Sequence, residues 1–377
     1  MLKGIHLTLM IGPVVAFPVP QTILDALTSV SVTSNSGPAT PSVFELSFTL
    51  SNNSPLQTLF LVSGGSPIPL VRVMLIATIN GTPEVLIDGF MTDHHVAPGS
   101  DSSHSTLTVK GQDVTAAMDF MDFSGFPFPA MPAEARVAIL LAKYAMFGVI
   151  PMVIPSIMLD VPIPTQQIPR QQGTDLNYIN QLASNVGYEF YVTPGPAPGV
   201  NVAYWGPRVT LGVPQPALNV NMDAFTNVES LSFSYANDRK SMPIVFVQEP
   251  ISKVPIPIPI PDFNPLSPPL GAIEPIPMRF EPVEGASKLS TIQALLIGLA
   301  RQSLTADAVT GTGTLDVVRY GRPLKARQLV GVRGAGMAFD GLYYVKSVTH
   351  SIKRGEYKQN FTLTRNGLIS TVPAVPS

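Results

Sequence analysis

Apolar and polar residues alternate along much of this chain, and the alternation predicts strands before any motif is considered. Ile5, Leu7, Leu9 and Ile11 recur at every second position until Pro13 interrupts them. Phe44, Leu46, Phe48 and Leu50 alternate with Glu45, Ser47 and Thr49, as a sheet with one buried face requires. Val71, Val73, Leu75 and Ala77 repeat the pattern, and Asn80-Gly81 is a strong hairpin signal. Val85–Ile87 returns, Asp88-Gly89 reads as a turn or bulge, and Phe90–Val96 continues. A polar loop then leads to Thr106–Val109 and Gly111. Short strands with turn signals at this spacing predict an antiparallel sandwich or barrel.

The period then changes. A short helix is predicted around Asp113–Asp122, followed by a Phe/Pro/Gly-rich linker over Phe123–Pro132. Pro132 suits the first turn of a helix running to about Phe147, which Gly148 ends. Prolines at 151, 155, 162, 164 and 169 keep Val149–Pro169 extended. The clearest local reading lies in Ile168–Trp205. Thr174 is an N-cap, Asp175 puts a carboxylate in the first turn, and Leu176, Ile179, Leu182, Ala183 and Val186 share one helix face. Gly187 supplies a left-handed C-cap, and two strands follow, Tyr188–Thr193 and Val200–Trp205, joined by the turn Pro194–Gly199.

Strands resume at Arg208–Leu211, Ala217–Met222, Ser230–Tyr235 and Ile244–Gln248. Alternate prolines in Lys253–Pro277 predict an extended arm without the donors that a sheet interior needs. Ser290 and Gln293 form a capping box for a helix to about Leu304. Strands are predicted again at Leu315–Tyr320, Gln328–Val332, Leu342–Ser351 and Tyr357–Arg365. An internal echo links the two ends. Asp88-Gly89 precedes Thr106-Leu107-Thr108-x-x-Gly111, and Asp340-Gly341 precedes Thr362-Leu363-Thr364-x-x-Gly367. This order predicts a duplicated β-domain with Leu107 and Leu363 at matching positions.

Composition sharpens the picture. Only 13% of the 377 residues are charged, against a usual ~25%, and the mean hydropathy is +0.27. Such a surface needs other subunits or a membrane to cover it. The apolar runs Val137–Met146 and Leu289–Ala300 fall short of the ~20 residues that span a bilayer. The N-terminal segment reads as a strand, without the cleavage site of a signal peptide. A net charge of −2 supplies no basic field for nucleic acid. With no cysteine, disulfides and thiol chemistry are excluded.

Little in the chain carries chemistry. His94, His95 and His104 flank one loop beside Asp93 and Asp101, but adjacent strand residues point to opposite faces and share no ion easily. Gly331–Gly336 lacks the lysine and the strand–loop–helix setting of a phosphate loop and reads as a turn. Asp223 and Glu229 are the nearest approach to a carboxylate pair, with no histidine or third carboxylate close in sequence. The basic residues Lys346, Lys353, Arg354, Lys358 and Arg365 suit a solvated or subunit-facing sheet.

In their order, Arg170, Gln171, Thr174-Asp175-Leu176, Tyr178-Ile179, Leu182-Ala183, Gly187-Tyr188 and Phe190-Tyr191 resemble the middle domain of the late-control gene D family. That family holds tail-hub proteins of contractile phages, the N-terminal part of the type VI spike protein VgrG, and hubs of extracellular contractile injection systems. Ile5-His6-Leu7-Thr8, Phe44-x-Leu46-x-Phe48, Asp88-Gly89-Phe90-Met91-Thr92 and Leu107-Thr108-Val109-x-Gly111-x-Asp113 resemble its first barrel. Gly341-x-Tyr343-x-Val345-x-x-Val348-x-His350 through Phe361-x-Leu363 resembles its second. Low charge, many prolines and an end soon after Gly367 are most similar to the extracellular systems.

The resemblance implies an α+β, mainly β fold, with two tube-like antiparallel β-barrel domains and an α+β middle domain. The first barrel would span 1–115, and the middle domain, two helices and a hairpin, 116–206. The second barrel would span 207–377, with the Pro-rich arm (about 253–280) and a helix (about 290–306) inserted. The helices Pro132–Phe147 and Thr174–Val186 would lie between or outside the barrels. The implied function is structural: a trimeric baseplate hub joining a hexameric inner tube to a trimeric spike. Implied partners are a homotrimer, inner tube subunits, other baseplate proteins and a separate spike protein, because no OB-fold or β-helical spike follows here as it does in VgrG. The arm would pack across a subunit or domain boundary. No enzyme activity, cofactor, catalytic residue or metal site is implied, and neither nucleic-acid binding nor membrane insertion. Assembly in the bacterial cytoplasm, as part of a phage-tail-like particle, would follow. The competing reading is a cell-wall- or carbohydrate-degrading enzyme, or a stand-alone binding module, on a β-scaffold. A clustered acid pair in a groove would favour the enzyme, and monomeric solubility the binding module.

Overall fold

Strands from both ends of the chain join one 13-stranded sheet. The computed structural model describes residues 5–50, 70–98, 105–156, 161–165, 168–236, 240–248, 255–259, 267–277, 279–282 and 307–372. The helix expected from Ser290, His104, Asp101 and much of the Pro-rich arm lie outside the described residues.

The first stretch holds β1 (Ile5–Gly12), β2 (Phe17–Pro18), α1 (Gln21–Ala26), β3 (Leu27–Asn35), β4 (Val43–Leu50), β5 (Arg72–Ile79), β6 (Thr82–Pro98) and β7 (Ser105–Asp113). The second holds α2 (Thr115–Met118), α3 (Ala133–Ala142), β8 (Val149–Val153), α4 (Asp175–Val186), β9 (Glu189–Pro194) and β10 (Asn201–Gly206). The third begins with β11 (Gln215–Asn219), β12 (Ser230–Tyr235), β13 (Ser241–Gln248), β14 (Pro255–Pro259), β15 (Gly271–Ile273) and β16 (Arg279–Pro282). It ends with β17 (Val309–Asp316), α5 (Val317–Tyr320), β18 (Leu329–Arg333), β19 (Gly341–Lys353), β20 (Glu356–Arg365) and β21 (Leu368–Ser370).

The large sheet contains one strand plan twice. In the first stretch the order across the sheet is β3-β4-β7-β6-β5-β1; in the third it is β12-β17-β20-β19-β18-β11. Corresponding strands also follow one another in the same chain order. The pairings within each set are antiparallel, except that β11 joins β18 in parallel where β1 joins β5 antiparallel. The two sets meet where β3 pairs with the second half of β19, from Ser347↔Asn35 to Lys353↔Ser29.

Both sets carry a β-bulge at the same place. β6 inserts Thr92 between the pairs Met91↔Gly111 and Asp93↔Lys110. β19 inserts Lys346 between Val345↔Leu363 and Ser347↔Thr362. Bulges are built features of a ladder and serve as fixed marks for alignment. They align Gly111 with Leu363, Val109 with Phe361, and Leu107 with Gln359. The expected match of Leu107 to Leu363 is therefore four residues out of register. The facing positions have also exchanged size. Phe44 lies across from Gly111, where a Cβ would come within 2.3 Å of its ring. In the second set the glycine is Gly311 and the large residue is Leu363. One small partner per pair keeps the two faces of the core apart by the same amount.

Local rules explain most elements, and tertiary ones explain the departures. Asn80 and Gly81 take φ of +50° and +82°, the two left-handed positions of a tight hairpin turn. Asp88-Gly89 is neither turn nor bulge but regular ladder, pairing with Met74 and Val73. The strand expected over Leu315–Tyr320 stops at Asp316, the end of β17: its carboxylate accepts from the backbone N–H groups of Val318 and Arg319 at 2.8 and 3.1 Å and starts α5. Arg208–Leu211 is irregular, since Arg208 is occupied by Asp307 and Thr364 at 2.9 and 2.8 Å. The expected helix to Phe147 is cut at Ala142, with a short 3-10 turn Ala145–Phe147 before Gly148 at φ +74°. The prolines of β14 do enter a sheet, as an edge strand against β13. In an antiparallel pair only every second N–H faces the neighbour, so alternate prolines leave the outer edge without donors.

The middle stretch has its own core. α3 and α4 cover the small sheet β8-β10-β9, burying Leu140, Leu141, Ile179, Leu182, Phe190 and Trp205. Thr174 caps α4 by accepting from the Asn177 N–H at 3.3 Å, and Gly187 closes it at φ +71°. Asp175 does more than complement the helix dipole. It is fully buried and accepts from Gln171 at 2.6 Å, Tyr144 at 2.8 Å and Lys143 at 3.0 Å. A second buried ion pair fastens this stretch to the first. Arg72 donates to both oxygens of Asp88 at 2.8 and 2.7 Å and to the Phe147 carbonyl at 2.8 Å, while Asn201 donates to Asp88 at 2.8 Å.

Removing one partner of such a pair strands the other charge in the core. Asp88→Ala should therefore cost about 3–5 kcal/mol, and Arg72→Met/Asp88→Leu far less. Unfolding followed through Trp205, the single tryptophan and fully buried in the middle core, measures both. Equal losses in the two variants would contradict the assignment.

Candidate assembly interface

The alternation along the large sheet sorts its two faces. Val30, Val32, Phe44, Leu46, Phe48, Val109, Leu315, Val348, Phe361 and Leu363 point to the core. The opposite face is made of Ser29, Ser31, Thr33, Ser47, Thr49, Thr108, Thr312, Thr314, Ser347, Thr349, Ser351, Asn360 and Thr362. Hydroxyls on that face bond one another. Thr33 and Thr349 meet at 3.0 Å across the β3–β19 seam, Thr314 donates to Asn360 at 2.8 Å, and Ser232 lies 3.1 Å from Thr312. Charges there are few and of both signs: Lys110 pairs with Glu45 at 3.5 Å and Lys358 with Glu229 and Glu356 at 3.1 and 3.0 Å, and the exposed Asp93 and Lys353 lie opposite Lys110 and Ser29. Exposed pairs of this kind are screened by water and salt and add little to stability. The face is polar and wettable yet nearly without field.

The seam is held at both ends by arginine. Arg327 donates to the Asn35 carbonyl and stacks 4.2 Å above the Tyr191 ring, and Arg354 donates to the Asp25 carbonyl. The Ser36 N–H adds a bond to the Lys346 carbonyl at 2.7 Å. Between these brackets His350 faces the core opposite Val32. The Tyr357 hydroxyl lies 2.7 Å and the Gln359 amide 3.3 Å from its Nδ1. Leu324 holds the Gln359 amide with its N–H group toward the ring, where a neutral imidazole nitrogen can accept. Burial pushes the His350 pKa down to about 4.

The residues singled out in the sequence are scattered. His94 and His95 are both exposed at the distal end of β6, on alternate faces. Glu229 is engaged by Lys358, and Asp223 begins an exposed 3-10 turn. Among the described residues no three His, Asp or Glu side chains gather where a metal ion could be held. Gly331–Gly336 is the end of β18 and a turn, with Gly334 and Gly336 at φ +85° and +93°. The basic residues do not share one surface: Arg365 is buried and donates to the carbonyls of Gly367, Asp340 and Ala338 at 2.7, 2.9 and 2.7 Å. Sequence reasoning did not find the open strand flanks. The distal part of β6, 91–98, has β7 on one side and no strand on the other among the described residues. β12 has β17 on one side and, among the described residues, no strand on the other.

No protein-family model matches the sequence, and no curated protein matches it. Solved structures do. The tail protein from Neisseria meningitidis MC58 aligns over 97% of this chain and 98% of its own, with a TM-score of 0.61 at 13% identity. The 43 kDa tail protein of prophage MuSo2 from Shewanella oneidensis aligns over 96% and 98%, with a TM-score of 0.59 at 16% identity. This chain carries the fold of phage tail proteins. A chain of the Francisella PdpA–VgrG complex is covered over 55% of its length, with a TM-score of 0.64 at 9% identity, and all of this chain aligns to it. The resemblance to tail hubs and VgrG read from the sequence thus holds for the fold, α+β and mainly β.

His350 gives the seam a pH signature. An unfolded histidine titrates near ~6.5, whereas His350 stays neutral down to about 4. Between these values the unfolded chain binds a proton that the folded one refuses, so stability falls as pH falls. The limiting slope is about 1.4 kcal/mol per pH unit. Unfolding curves of the wild type and His350→Gln should diverge below this window's upper edge, the wild type losing more. A difference independent of pH would contradict the buried neutral ring.

Proposed function

We propose that this chain is a structural hub of a contractile injection system or phage-like tail baseplate, a trimeric adaptor between a hexameric inner tube and a trimeric spike. The observation that carries this reading is the doubled strand plan. A closed trimer offers three copies of any surface, but three chains with two like units each offer six. Two units joined side by side in one sheet are what such an adaptor needs. Residues 1–115 and 207–377 would be the tube-like barrels, and 116–206 the middle domain outside them.

Three further observations support it. The hydroxyl face, with few charges of both signs, suits the wall of a channel through which cargo must not stick. Low overall charge and positive mean hydropathy suit a chain covered by neighbours. The similar structures include tail proteins and a chain of the PdpA–VgrG complex. The partners would be two further copies of this chain, inner tube subunits, a separate spike protein and other baseplate proteins. The site of action would be a phage-tail-like particle assembled in a bacterial cytoplasm. The chemistry of the role is adhesion and load-bearing, without a catalytic step.

Light scattering on the purified full chain tests this directly. The expected mass is three times the 40.2 kDa of one chain, and the neighbouring spike protein should add its own trimer to the particle. A stable monomer at micromolar concentration, unchanged by the spike protein, would contradict the proposal.

A further inference from the structure

Three side chains from separate segments meet beside the small β15–β21 sheet. Lys240 lies just ahead of β13, Glu274 just after β15, and Asn366 between β20 and β21. Glu274 stands between the other two. Its Oε2 takes the Lys240 ammonium, and its Oε1 takes the Asn366 amide N–H. The Asn366 oxygen is held separately: Oδ1 accepts from the backbone N–H groups of Leu270 and Gly271, both at 2.9 Å. Backbone N–H groups can only donate, so the amide cannot be turned the other way round. Lys240 is 7% exposed, and Leu270 belongs to a buried cluster with Leu329, Leu342 and Tyr344. A plain ion pair would need none of the contacts made by the amide.

We propose that Lys240 and Asn366 react once per chain to form an isopeptide bond, with Glu274 as the proton-transfer group. Lys240 Nζ is the nucleophile and Asn366 Cγ the carbon attacked. Glu274 removes a proton from Nζ, which frees the lone pair of the amine. The Nζ–Cγ bond forms, and the negative charge gathering on Oδ1 meets the Leu270 and Gly271 N–H groups, placed as an oxyanion hole. Glu274 delivers protons to Nδ2 through the contact it already makes there. The Cγ–Nδ2 bond then breaks. Nζ gives up two protons in all, and Nδ2, which starts with two, leaves as an ammonium ion. The balance needs no other reactant. The bond is independent of the proposed trimer.

The backbone around Asn366 is fixed. Arg365, itself buried, donates to the Gly367 carbonyl at 2.7 Å and to those of Asp340 and Ala338. β15 pairs with β21 through Gly271↔Ser370 and Ile273↔Leu368. Gly271 and Gly367 permit this approach: a Cβ on the first would come within 2.4 Å of the Gly367 carbonyl oxygen, and one on the second within 2.3 Å of the Ile273 carbonyl oxygen. The two backbone donors are therefore held in place relative to Asn366. Holding reacting groups in this way removes much of the entropic cost of joining them. The bond ties the start of β13, and with it the proline strand β14 that β13 carries, to the end of β20. Tension on that segment then falls on a covalent link instead of on hydrogen bonds for which water competes.

Mass spectrometry of the purified full chain tests this. The protein should weigh less than its sequence by one ammonia molecule. Trypsin cuts after Arg239 and Arg365 but not after an acylated lysine, so it should release one branched peptide, the segment starting at Lys240 joined to the segment starting at Asn366. Lys240→Arg and Glu274→Gln should show the full mass and no branched peptide. Asn366 precedes Gly367, and such a pair can lose ammonia by itself when the glycine nitrogen attacks Cγ. Ammonia loss without a branched peptide, or unchanged in Lys240→Arg, would be that reaction and would overturn the cross-link. A wild type at its full mass would overturn it as well. A branched peptide formed equally in Glu274→Gln would overturn the role given to Glu274. The wild-type measurements decide on the bond even where a variant fails to fold.

Discussion

A β-strand has two flanks, and each buried N–H and C=O along them needs a partner. The rest of this molecule depends on how that requirement is met at β3 and β19. There, the last strand of one set completes the open flank of the other, and Arg327 and Arg354 fix the two ends of the junction. The two sets thereby become one sheet with one shared core, in which Val32 of the first packs with Val348 and Phe361 of the second. Among the described residues, the distal part of β6 and the outer flank of β12 have no strand beside them.

The middle stretch is attached differently. Its own core is closed by α3, α4 and the β8–β10 sheet, and its link to the first set is the buried Arg72–Asp88 pair with Asn201 and the Phe147 carbonyl. Buried charge is retained here with every partner close at hand, which favours one docking geometry over many.

Much of the fold was legible in the sequence where a local rule decides. Thr174, Asp175 and Gly187 mark both ends of α4, and Asn80-Gly81 marks its hairpin, because caps and left-handed turns need only neighbours. The alternation in Phe44–Leu50 and Tyr357–Arg365 gave both strands and their buried faces. Departures arose where distant residues intervene. Asp316 ends β17 by capping, Arg208 is drawn to Asp307 and Thr364, and the β14 prolines find an edge where their missing donors cost nothing. The Asp-Gly and Thr-Leu-Thr echo pointed to a duplication, but aligned the wrong residues. Gln359 stands where Leu107 stands in the other set because it is needed to hold the Leu324 N–H and carbonyl at 2.8 and 2.9 Å. The seam itself left no local trace, since it joins residues about three hundred positions apart.

The central claim is that the two strand sets of one chain stand side by side around a common axis. An end-on electron-microscopy reconstruction of the purified assembly, computed without imposed symmetry, measures this most directly. The account predicts a closed annulus of six like lobes, with three additional densities from the middle stretches outside it and the hydroxyl face lining the bore. A ring of three lobes, with the second strand set turned away from the axis, would contradict it.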